Sequence, residues 1–440
     1  MMMAMEPKSW GRYPRVSGQK AHPVTWTSEP LPMPPEGGSL LPHGLGRSYG
    51  DSCLNEGGSL LTTERLDHFL GFDPATGVLR CESGVTLDGI LRLVTNQGWF
   101  LPATPGTKFV TVGGAIANDV HGKNHVRVGT FGRHLRRFEL VRSDGSRRVC
   151  SPEENRDWFE ATIGGLGLTG LITWAELQLR RVSNPYMHQE TIAFSNLEGF
   201  LKLTRESLQD FEYTVAWVDS LARGRHLGRG LFHRANHAPP QFSSRAPSPP
   251  RLSGLAVPFD FPGLALNRVS VAAFNALHYR MRNQGLMHYE PYFFPLDSVH
   301  HWNRIYGSQG FVQFQCVVPP GDVGVAALKE ILDRSAHSGM PSFLTVLKTY
   351  GDVPSPGWMS FPKAGYSLAL DFANRGERTY QLVDELDRLT REVGGRVYPA
   401  KDSRMSPESF AAYFPERERF AQYVDPAFSS SFWRRVRGAG

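Results

Sequence analysis

Cysteine and long hydrophobic runs are both scarce in this chain of 440 residues. The four cysteines, Cys53, Cys81, Cys150 and Cys316, are far apart and form no CxxC pair. This pattern argues against a disulfide framework and against a zinc or other metal site, and it favours a reducing compartment such as the cytoplasm. The sequence has no long uncharged apolar window and no secretory signal in its polar first 16 residues, so a spanning helix is not expected.

The composition is that of a globular protein. Hydrophobic residues make up 40% and charged residues 20%, which supplies enough apolar material for a large core and excludes wholesale disorder. The 45 glycines and 32 prolines indicate many turns, and the length allows about two or three domains. A net charge of +6 suits an anionic partner such as a phosphate or an acidic lipid, but a mildly basic soluble enzyme has the same charge. No nucleic-acid-binding motif occurs, so nucleic acid is not an expected partner.

Short strands that alternate with isolated helices predict an α+β fold. In residues 36–182 the apolar spacing predicts helices at 85–97 and 152–161 and a strand at 168–179. After residue 184 the pattern predicts an antiparallel sheet that helices cover on one face. The helices predicted there are 196–208, 321–338 and 377–393, and the strands are 213–219, 310–319, 342–350, 366–372 and one that begins at 397. The chain is expected to end in a small basic tail, residues 433–440.

A proline-rich stretch, residues 237–262, interrupts this pattern. Its seven prolines cannot hold helix or sheet hydrogen bonds, so a mobile loop is predicted. Apolar side chains in the stretch would be free to touch a lipid or to cover a site, and a passive surface insertion explains it equally well. These apolar residues are Leu255, Val257, Phe259 and Phe261.

Three glycine-rich segments lie beside predicted strands. They are His43–Asp51 (HGLGRSYGD), Pro105–Asn124 and Thr162–Gly170 (TIGGLGLTG). Closely spaced glycines let successive main-chain N–H groups face a phosphate, and small residues let a flat ligand approach the backbone. A structural turn explains any one of them, but three within about 130 residues indicate a large, flat, phosphate-bearing cofactor. The spacing is not a Rossmann fingerprint, because the glycines at 165–170 lead into a strand.

These segments resemble the FAD domain of the vanillyl-alcohol oxidase-type (PCMH-type) flavoproteins. The later segments YEPYFFPLD, GFVQFQ, TVLKTYGD and GGRVYPAKDSR resemble the members of that family that act on polyprenyl-phosphoryl ribose. The resemblance spans about residues 10–425. It implies a PCMH-type FAD-binding domain at 10–181, a substrate or cap domain at 182–396, and a C-terminal segment at 397–440 that returns to the flavin.

The resemblance implies a flavin cradle built mainly from the glycine-rich segments. Relatives with covalently bound flavin have a histidine where this chain has Arg47, so FAD is expected to be held non-covalently. Ala369 stands where mycobacterial members have a cysteine, so a thiol-directed inhibitor is expected to fail. The residues implied in cofactor binding are His43, Gly44, Leu45, Gly46, Arg47, Ser48, Tyr49, Gly50, Gly106, Thr107, Thr111, Gly113, Gly114, Ala117, Asn118, His121, Gly122, Lys123, Asn124, Ile172 and Tyr398.

The resemblance also implies the reaction, a hydride transfer from C2′ of a polyprenyl-phosphoryl β-D-ribofuranose to flavin N5 that leaves a 2-keto sugar. Lys401 matches the family's active-site lysine, although a lone lysine after a strand is by itself more typical of a solvated surface. The implied catalytic residues are Lys401, His121 and Tyr49, and the implied substrate residues are Gln313, Gln315, Lys348 and Lys123. The base for the hydroxyl proton stays unassigned, with Lys401 as one candidate. Residues 292–294 and Trp302 are predicted to form either apolar walls or core.

The implied partners follow from that reaction. A separate short-chain NAD(P)H reductase would complete the epimerisation of the sugar to arabinose. The lipid tail of the polyprenyl-phosphoryl sugar predicts that a cytoplasmic enzyme also makes peripheral contact with a membrane. Two alternatives stay open: an aldonolactone or alditol oxidase that acts on a soluble sugar, and a binding or regulatory protein without flavin.

Overall fold

Helices and antiparallel sheets are both prominent in the structure, which is a computed structural model. It describes residues 7–34, 36–245, 255–263 and 265–438. The mixture of elements confirms the predicted α+β class. Within the described ranges, no helix combines the length and the apolar character that crossing a membrane requires.

The first half of the chain contains a small parallel sheet and a larger antiparallel sheet. The parallel sheet consists of β1 (Lys20–Pro23), β2 (Leu40–His43) and β3 (Ser59–Thr62), with β3 in the middle. The antiparallel sheet consists of β4 (Phe69–Asp73), β5 (Val78–Glu82), β7 (Leu135–Val141), β8 (Arg147–Cys150) and β9 (Leu171–Gln178), in the order β4-β5-β9-β7-β8. A separate pair joins β6 (Trp99–Phe100) to β10 (Arg180–Arg181). The helices here are α1 (Leu87–Val94), α2 (Val112–Ala117), α3 (His125–Val128) and α4 (Arg156–Thr162).

The second half is built on an eight-stranded antiparallel sheet. Its strands are β11 (Tyr186–Phe194), β12 (Tyr213–Val218), β13 (Gly230–His237), β14 (Gln284–His288), β15 (Phe311–Val318), β16 (Thr345–Tyr350), β17 (Gly365–Ala373) and β18 (Arg396–Val397), in the order β14-β11-β13-β12-β16-β17-β15-β18. The helices are α5 (Leu197–Ser207), α6 (Arg268–His278), α7 (Tyr289–Phe293), α8 (Asp322–His337), α9 (Glu377–Glu392), α10 (Pro407–Tyr413), α11 (Arg417–Ala421) and α12 (Ser431–Arg437). Short 3-10 helices lie at Asp51–Cys53, Thr95–Gln97, Phe131–His134, Gly224–His226, Pro240–Arg245, Pro295–Ser298 and Trp302–Tyr306.

Each helix and strand predicted from spacing matches an observed element, with boundaries shifted by a few residues at most. Helix α1 shows why. The Thr86 side chain accepts a hydrogen bond from the Gly89 N–H at the start of the helix, and Ile90, Leu91 and Val94 are buried on one side. The capping hydrogen bond and the helical spacing of the apolar residues therefore both favour the helix that the core also requires.

The strands β15 and β17 give the large sheet two different faces. One face packs into the core under α8 and α9. It carries residues 312, 314, 316 and 318 of β15 and residues 368, 370 and 372 of β17. Because side chains alternate along a strand, Gln313, Gln315, Ser367, Ala369 and Asp371 lie on the opposite face. The predicted sheet covered on one face by helices is thus confirmed, and its other face carries the polar residues.

The C-terminal part of the chain differs from the expected basic tail. Residues 431–437 form α12, and its Phe432, Trp433 and Val436 are buried in the main core. The end of the chain is therefore part of the fold up to residue 438. The proposed domain boundaries at 181 and 396 stay a prediction.

The proline-rich stretch is described only in part. Residues 246–254 lie outside the described residues, so the mobile loop stays a prediction there. Beyond them, Leu255 and Phe259 are exposed as expected. Val257 is buried, contrary to the expectation, because its N–H donates to the His300 carbonyl and ties it to a neighbouring segment.

Candidate active site

A large open cleft separates the glycine-rich segments from the polar face of the eight-stranded sheet. It encloses about 1900 Å³, including its mouth. Most of the predicted site residues line it, although they come from distant parts of the chain. Those residues are His43, Gly44, Leu45, Gly46, Arg47, Ser48, Tyr49, Gly106, Thr107, Thr111, Gly113, Gly114, Ala117, Asn118, His121, Ile172, Gln313, Gln315, Lys348, Tyr398 and Lys401.

The first wall of the cleft is the loop that follows β2. Within the described residues, the main-chain N–H groups of residues 44–48 have no hydrogen-bond acceptor in the protein. Gly46 adopts a left-handed conformation, with φ of +59°, that turns the chain within this run. Consecutive free amides in a glycine-rich loop are suited to an anion such as a phosphate.

The side chain at the start of this loop does not supply charge. His43 Nδ1 lies 3.0 Å from the Cys53 carbonyl oxygen, and burial lowers the pKa of the imidazole. His43 is therefore neutral at neutral pH. An anion bound here would be held by the backbone rather than by an imidazolium.

The segment around α2 adds a second, close-packed wall. The Thr111 side chain accepts a hydrogen bond from the Gly114 N–H at 3.2 Å, which orders the start of this short helix. A Cβ atom at Gly44 would lie 2.4 Å from Thr111 Oγ1, so the two glycine-rich segments touch. A Cβ atom at Gly106 would meet nothing within 4 Å, which leaves open space over that residue. The wall is thus smooth enough for a flat ring to approach the backbone.

Arg47 closes one end of this wall. Its guanidinium lies 4.2 Å from the centroid of the Trp10 ring, and its Nε is buried without a partner among the described residues. Burial lowers the pKa of this group, and the nearby Asp297 carboxylate opposes that effect. A guanidinium offers N–H donors but no nucleophile that would bond a flavin methyl group.

The polar face of the sheet forms the opposite wall. The strand register places Gln315 opposite Ala369 and Lys348 opposite Ser367, and all four side chains line the cleft. Gln313 stands opposite Asp371 and donates a hydrogen bond to its carboxylate. Residues from three strands, β15, β16 and β17, thus become one largely polar patch.

Lys401 reaches the cleft from a turn after β18. The Tyr398 N–H donates to the Gln315 carbonyl and the Lys401 N–H donates to the Tyr398 carbonyl, which fixes the turn on β15. The Tyr49 N–H donates to the Ala400 carbonyl at 2.8 Å. Lys401 Nζ therefore lies 3.5 Å from the centroid of the Tyr49 ring, at the junction of the two walls.

The charge of Lys401 is set by its surroundings. Although part of its surface is open to the cleft, burial lowers the pKa of the ammonium group, and nearby Lys348 lowers it further. The Asp371 carboxylate acts in the opposite direction. Burial likewise raises the pKa of Asp371 and lowers the pKa of Lys348 to about 8. This end of the cleft therefore holds amines that lose their protons far more easily than ordinary lysines.

His121 lies among aromatic rings beneath these groups. Its Nε2 is 3.2 Å from Gln315 Nε2, and its ring packs against Tyr350 and Tyr398. Burial and the nearby lysines lower its pKa well below the ordinary value, so the imidazole is neutral. Its Nδ1 has no partner among the described residues. His121 thus borders the cleft as a neutral imidazole whose Nδ1 is buried.

Four predicted site residues do not line the cleft, and packing explains each case. Gly50 is pressed against the backbone of Asp402, where a Cβ atom would lie 1.7 Å from the carbonyl oxygen. A Cβ atom on Gly122 would lie 2.8 Å from the Thr104 carbonyl oxygen. Both glycines are therefore required by close backbone packing, and their predicted contacts with the cofactor stay a prediction.

Lys123 and Asn124 do not line the cleft, and both side chains are engaged elsewhere. Lys123 Nζ donates to the Tyr292 carbonyl and lies 4.3 Å from the centroid of the Tyr292 ring. Asn124 Nδ2 donates to the Pro102 carbonyl at 2.9 Å and to Glu212 at 3.1 Å. Residues 292–294 belong to the buried core of the first half, so they are core rather than cleft wall. Trp302, the other predicted wall residue, does line the cleft.

Two functionally placed residues were missed by sequence reasoning. Asp371 opposes the loss of the Lys401 proton, and only the pairing of β15 with β17 shows that it does so. Arg435 makes two hydrogen bonds to Asp51, at 2.7 and 2.9 Å, and one to Asp402 at 2.9 Å. It thereby ties the loop after β2 to the turn that carries Lys401. No local motif marks either residue.

Known proteins resemble this chain over different lengths. Residues 35–151 match a family model described as an FAD binding domain. A decaprenylphosphoryl-β-D-ribose oxidase from Mycolicibacterium smegmatis is 35% identical over 418 residues, which covers 91% of this chain and 90% of that protein. An uncharacterized protein of Streptomyces coelicolor is 36% identical over 373 residues, 80% of this chain and 100% of that protein. The human Delta(24)-sterol reductase is 34% identical over 111 residues, 25% of this chain and 21% of that protein.

Proposed function

This chain belongs to the family of decaprenylphosphoryl-β-D-ribose oxidases, and on that premise we propose that it oxidises the 2′-hydroxyl of a polyprenyl-phosphoryl β-D-ribofuranose to the 2-keto sugar. It is an FAD-dependent oxidoreductase. The observation that carries the choice of substrate is the 35% identity over nine-tenths of an oxidase named for a lipid-linked ribose. That extent includes the polar sheet face as well as the FAD-binding segments.

The cleft fits an FAD molecule. The free amides of residues 44–48 suit its pyrophosphate, and the close-packed wall around α2 suits a flat ring system. When bound, FAD supplies a hydride acceptor at its ring. Because Arg47 cannot form the covalent link, acid precipitation of the protein is expected to release all of the yellow colour. Colour retained in the pellet would contradict non-covalent binding.

Lys401 is suited to take the proton from the 2′-hydroxyl. Burial favours its neutral amine, and its neighbour Asp371 stabilises the ammonium ion that proton transfer produces. Tyr49 supports the same ammonium ion through its ring face. The three groups together can accept a proton without leaving an isolated charge in the protein interior.

The sugar and its phosphate would be held by the polar sheet face. Gln313 and Gln315 offer amide groups to hydroxyls, and Lys348 is a cation for the phosphoryl group. The neutral His121 ring would border the inner edge of the bound sugar or cofactor. These roles rest on the position of each residue at the cleft.

A second enzyme and a membrane belong to the same proposal. A keto sugar becomes an epimer only when hydride returns to the opposite face, so a separate short-chain NAD(P)H reductase would act next. A lipid-linked substrate also requires the enzyme to work beside a membrane, and a cytoplasmic location is part of the proposal. Oxidation of a soluble sugar is not favoured, because the relative covering most of this chain is named for a lipid-linked one.

Anaerobic absorption spectroscopy tests the proposal. Polyprenyl-phosphoryl ribose should bleach the oxidised-flavin band of the purified protein. The same lipid bearing arabinose, and a soluble arabinono-lactone, should bleach it far more slowly. Rapid bleaching by the lactone alone would overturn the proposed substrate. A protein that is colourless after incubation with FAD would overturn the enzyme class as well.

A further inference from the structure

Asp119 lies between residues of the cleft but does not line it. Its neighbours Asn118, Val120 and His121 line the cleft, and so does Tyr398. These four residues are termed the cleft floor. We infer that Asp119 is a positioning residue, which holds the cleft floor in place around the bound flavin. Its effect on catalysis rests on the proposed function, whereas its effect on the cleft floor can be measured without substrate.

The backbone and the side chain of Asp119 both carry an energetic cost. Its φ of +40° lies in the left-handed region, which side chains other than asparagine and aspartate rarely adopt. The residue is completely buried, and its carboxylate forms no ion pair within the described ranges. Burial raises the pKa of this carboxyl group, and hydrogen bonds oppose that effect. Backbone strain and uncompensated buried charge are concentrated at functional sites, where the surrounding structure has to hold them in place.

The carboxylate of Asp119 joins the two halves of the chain. Its Oδ1 accepts a hydrogen bond from the Gly132 N–H at 2.8 Å, and its Oδ2 accepts bonds from the Ser355 and Ser360 hydroxyls, both at 2.5 Å. Gly132 belongs to the first half, whereas the two serines lie in the connection between β16 and β17. A Cβ atom on Gly132 would lie 2.8 Å from Asp119 Oδ1, so only glycine allows this close approach. One carboxylate therefore fixes a loop of the second half against the segment that follows α2.

The loop that Asp119 fixes supports the cleft floor. Phe361, in the same loop, stacks on the Tyr398 ring with centroids 4.6 Å apart, and its centroid lies 5.6 Å from that of His121. The Tyr398 hydroxyl donates to the Asn118 carbonyl at 2.8 Å. Asn118 precedes Asp119 directly in the chain. Asp119 therefore acts on the Tyr398 ring by two routes, through the Asn118 carbonyl and through Phe361.

The same contacts lead to the proposed base. The Lys401 N–H donates to the Tyr398 carbonyl at 3.0 Å, so the turn that carries Lys401 begins at Tyr398. A displacement of the Tyr398 ring would therefore disturb the position of the amine as well as the surroundings of the flavin. Misplacement of a reacting group by about 1 Å can slow a reaction by about 100-fold. Loss of the Asp119 carboxylate should thus affect the rate more than the FAD content, because the loop after β2 stays intact.

Visible circular dichroism of the bound flavin tests the inference in the holoenzyme, because this signal depends on the groups that surround the ring. Asp119→Gly permits the left-handed backbone but removes the acceptor oxygens. The flavin dichroism should change in shape, and the rate of bleaching at saturating polyprenyl-phosphoryl ribose should fall by about tenfold. Wild-type dichroism and rate in Asp119→Gly would overturn the inference.

Asp119→Asn is the conservative variant that should rescue the cleft floor. Asparagine tolerates the left-handed conformation, and its amide oxygen can still accept from Gly132. Its NH₂ group can donate to the hydroxyls of Ser355 and Ser360, which rotate to accept. Asp119→Asn should therefore keep the wild-type dichroism and at least about half of the rate. Changes as large as those in Asp119→Gly would contradict positioning by these hydrogen bonds and would overturn the inference.

Asp387 provides a matched control outside the cleft. Its carboxylate also accepts hydrogen bonds from two hydroxyls, those of Ser409 and Tyr413. Asp387→Ala should lower the free energy of unfolding but leave the flavin dichroism and the bleaching rate unchanged. The same change of dichroism in Asp387→Ala as in Asp119→Gly would show that lost stability alone disturbs the flavin, and would overturn the inference.

The two serines supply a milder variant in case Asp119→Gly does not fold. Ser355→Ala/Ser360→Ala removes two of the donors and leaves the backbone of Asp119 unchanged. It should change the flavin dichroism in the same direction as Asp119→Gly, whereas Ser409→Ala should not change it. Wild-type dichroism in this double variant would overturn the inference where Asp119→Gly cannot be purified.

The positioning role and the proposed reaction can fail separately. Altered dichroism in Asp119→Gly, without bleaching of the wild-type protein by any polyprenyl-phosphoryl ribose, would support the positioning role and overturn the proposed reaction. Bleaching of the wild-type protein, with dichroism and rate unchanged in Asp119→Gly, would overturn the positioning role and leave the proposed reaction intact.

Discussion

The two walls of the cleft present different kinds of chemical group to a ligand. The loop after β2 presents main-chain N–H groups from five consecutive residues, 44–48, and the one titratable group at its start, His43, is neutral. The polar sheet face presents side chains from separate strands, among them Gln315 and Lys348, with Lys401 added from a later turn. The first wall therefore depends on backbone conformation, and the second depends on side-chain burial and charge.

This difference indicates which kind of substitution should impair each wall. A backbone cradle tolerates changes of side chain but not changes that alter φ and ψ angles. A set of buried amines tolerates small shifts of backbone but not the loss or addition of one charge. Four substitutions test this contrast, and they are given from the largest expected effect to the smallest.

Replacing the lysine of the second wall should have the largest effect. Lys401→Met removes the group placed to accept the hydroxyl proton, so the rate of flavin bleaching should fall by about 100-fold to 1000-fold. The FAD content should not change, because the first wall is intact. Lys329→Met, at a lysine on α8 that lies outside the cleft, should bleach at the wild-type rate. A loss of FAD in Lys401→Met would contradict the conclusion that the first wall binds the cofactor independently of the second.

Arg435 is the next test, because it joins the walls. Arg435→Met leaves the buried carboxylates of Asp51 and Asp402 without their guanidinium partner, so the free energy of unfolding should fall by about 2 kcal/mol. Urea unfolding of the holoprotein measures this change. Arg437→Met, on the exposed side of the same helix, is the control and should stay near the wild-type value. Equal stability of the two variants would show that α12 does not link the walls.

Replacing a glycine of the first wall should have a smaller effect, which falls mainly on cofactor binding. Gly46→Ala forces a side chain into a left-handed conformation and places its Cβ atom 2.8 Å from the Lys8 carbonyl oxygen. The affinity for FAD should fall by about tenfold, as measured by fluorescence titration of the apoprotein.

Gly145→Ala is the matched control for this change. Gly145 has a similar φ of +80° but open space around it, and it lies outside the cleft. Both variants should lose about 1 kcal/mol of stability from backbone strain, with a further loss in Gly46→Ala from the contact with the Lys8 carbonyl, and only Gly46→Ala should lose FAD. Loss of FAD in both would mean that strain alone, rather than the cradle, sets the affinity.

Asp371→Asn should have the smallest effect and a defined sign. The negative charge of Asp371 stabilises the ammonium form of Lys401 and so raises its pKa. Removing that charge lowers this pKa, so the pH above which bleaching becomes fast should move about one unit toward acid. Asp333→Asn, at an exposed carboxylate on α8, should not move it. A shift toward alkaline pH would contradict the proposed role of Lys401 as the base.

Much of the local structure was predictable because it depends on nearby residues. Helix α1 has its cap and its buried stripe within ten residues, and the glycine-rich loop after β2 carries its own turn at Gly46. Lys123 shows the limit of such reasoning. It lies near the end of the second glycine-rich segment, yet its amine donates to the Tyr292 carbonyl in the neighbouring core. Sequence proximity to a cradle did not predict the direction of the side chain.

The amino-acid sequence by itself determined the order of helices and strands, the α+β class and the presence of glycine loops suited to a phosphate-bearing cofactor. These follow from short-range periodicity, capping and backbone freedom, which any stretch of about ten to twenty residues expresses alone. Only the tertiary structure decided that Asp371 supports Lys401, that Arg435 ties the loop of Asp51 to the turn of Asp402, and that α6 turns apolar side chains outward. Burial and charge act through space, so their effects exist only after strands distant in sequence have been brought together.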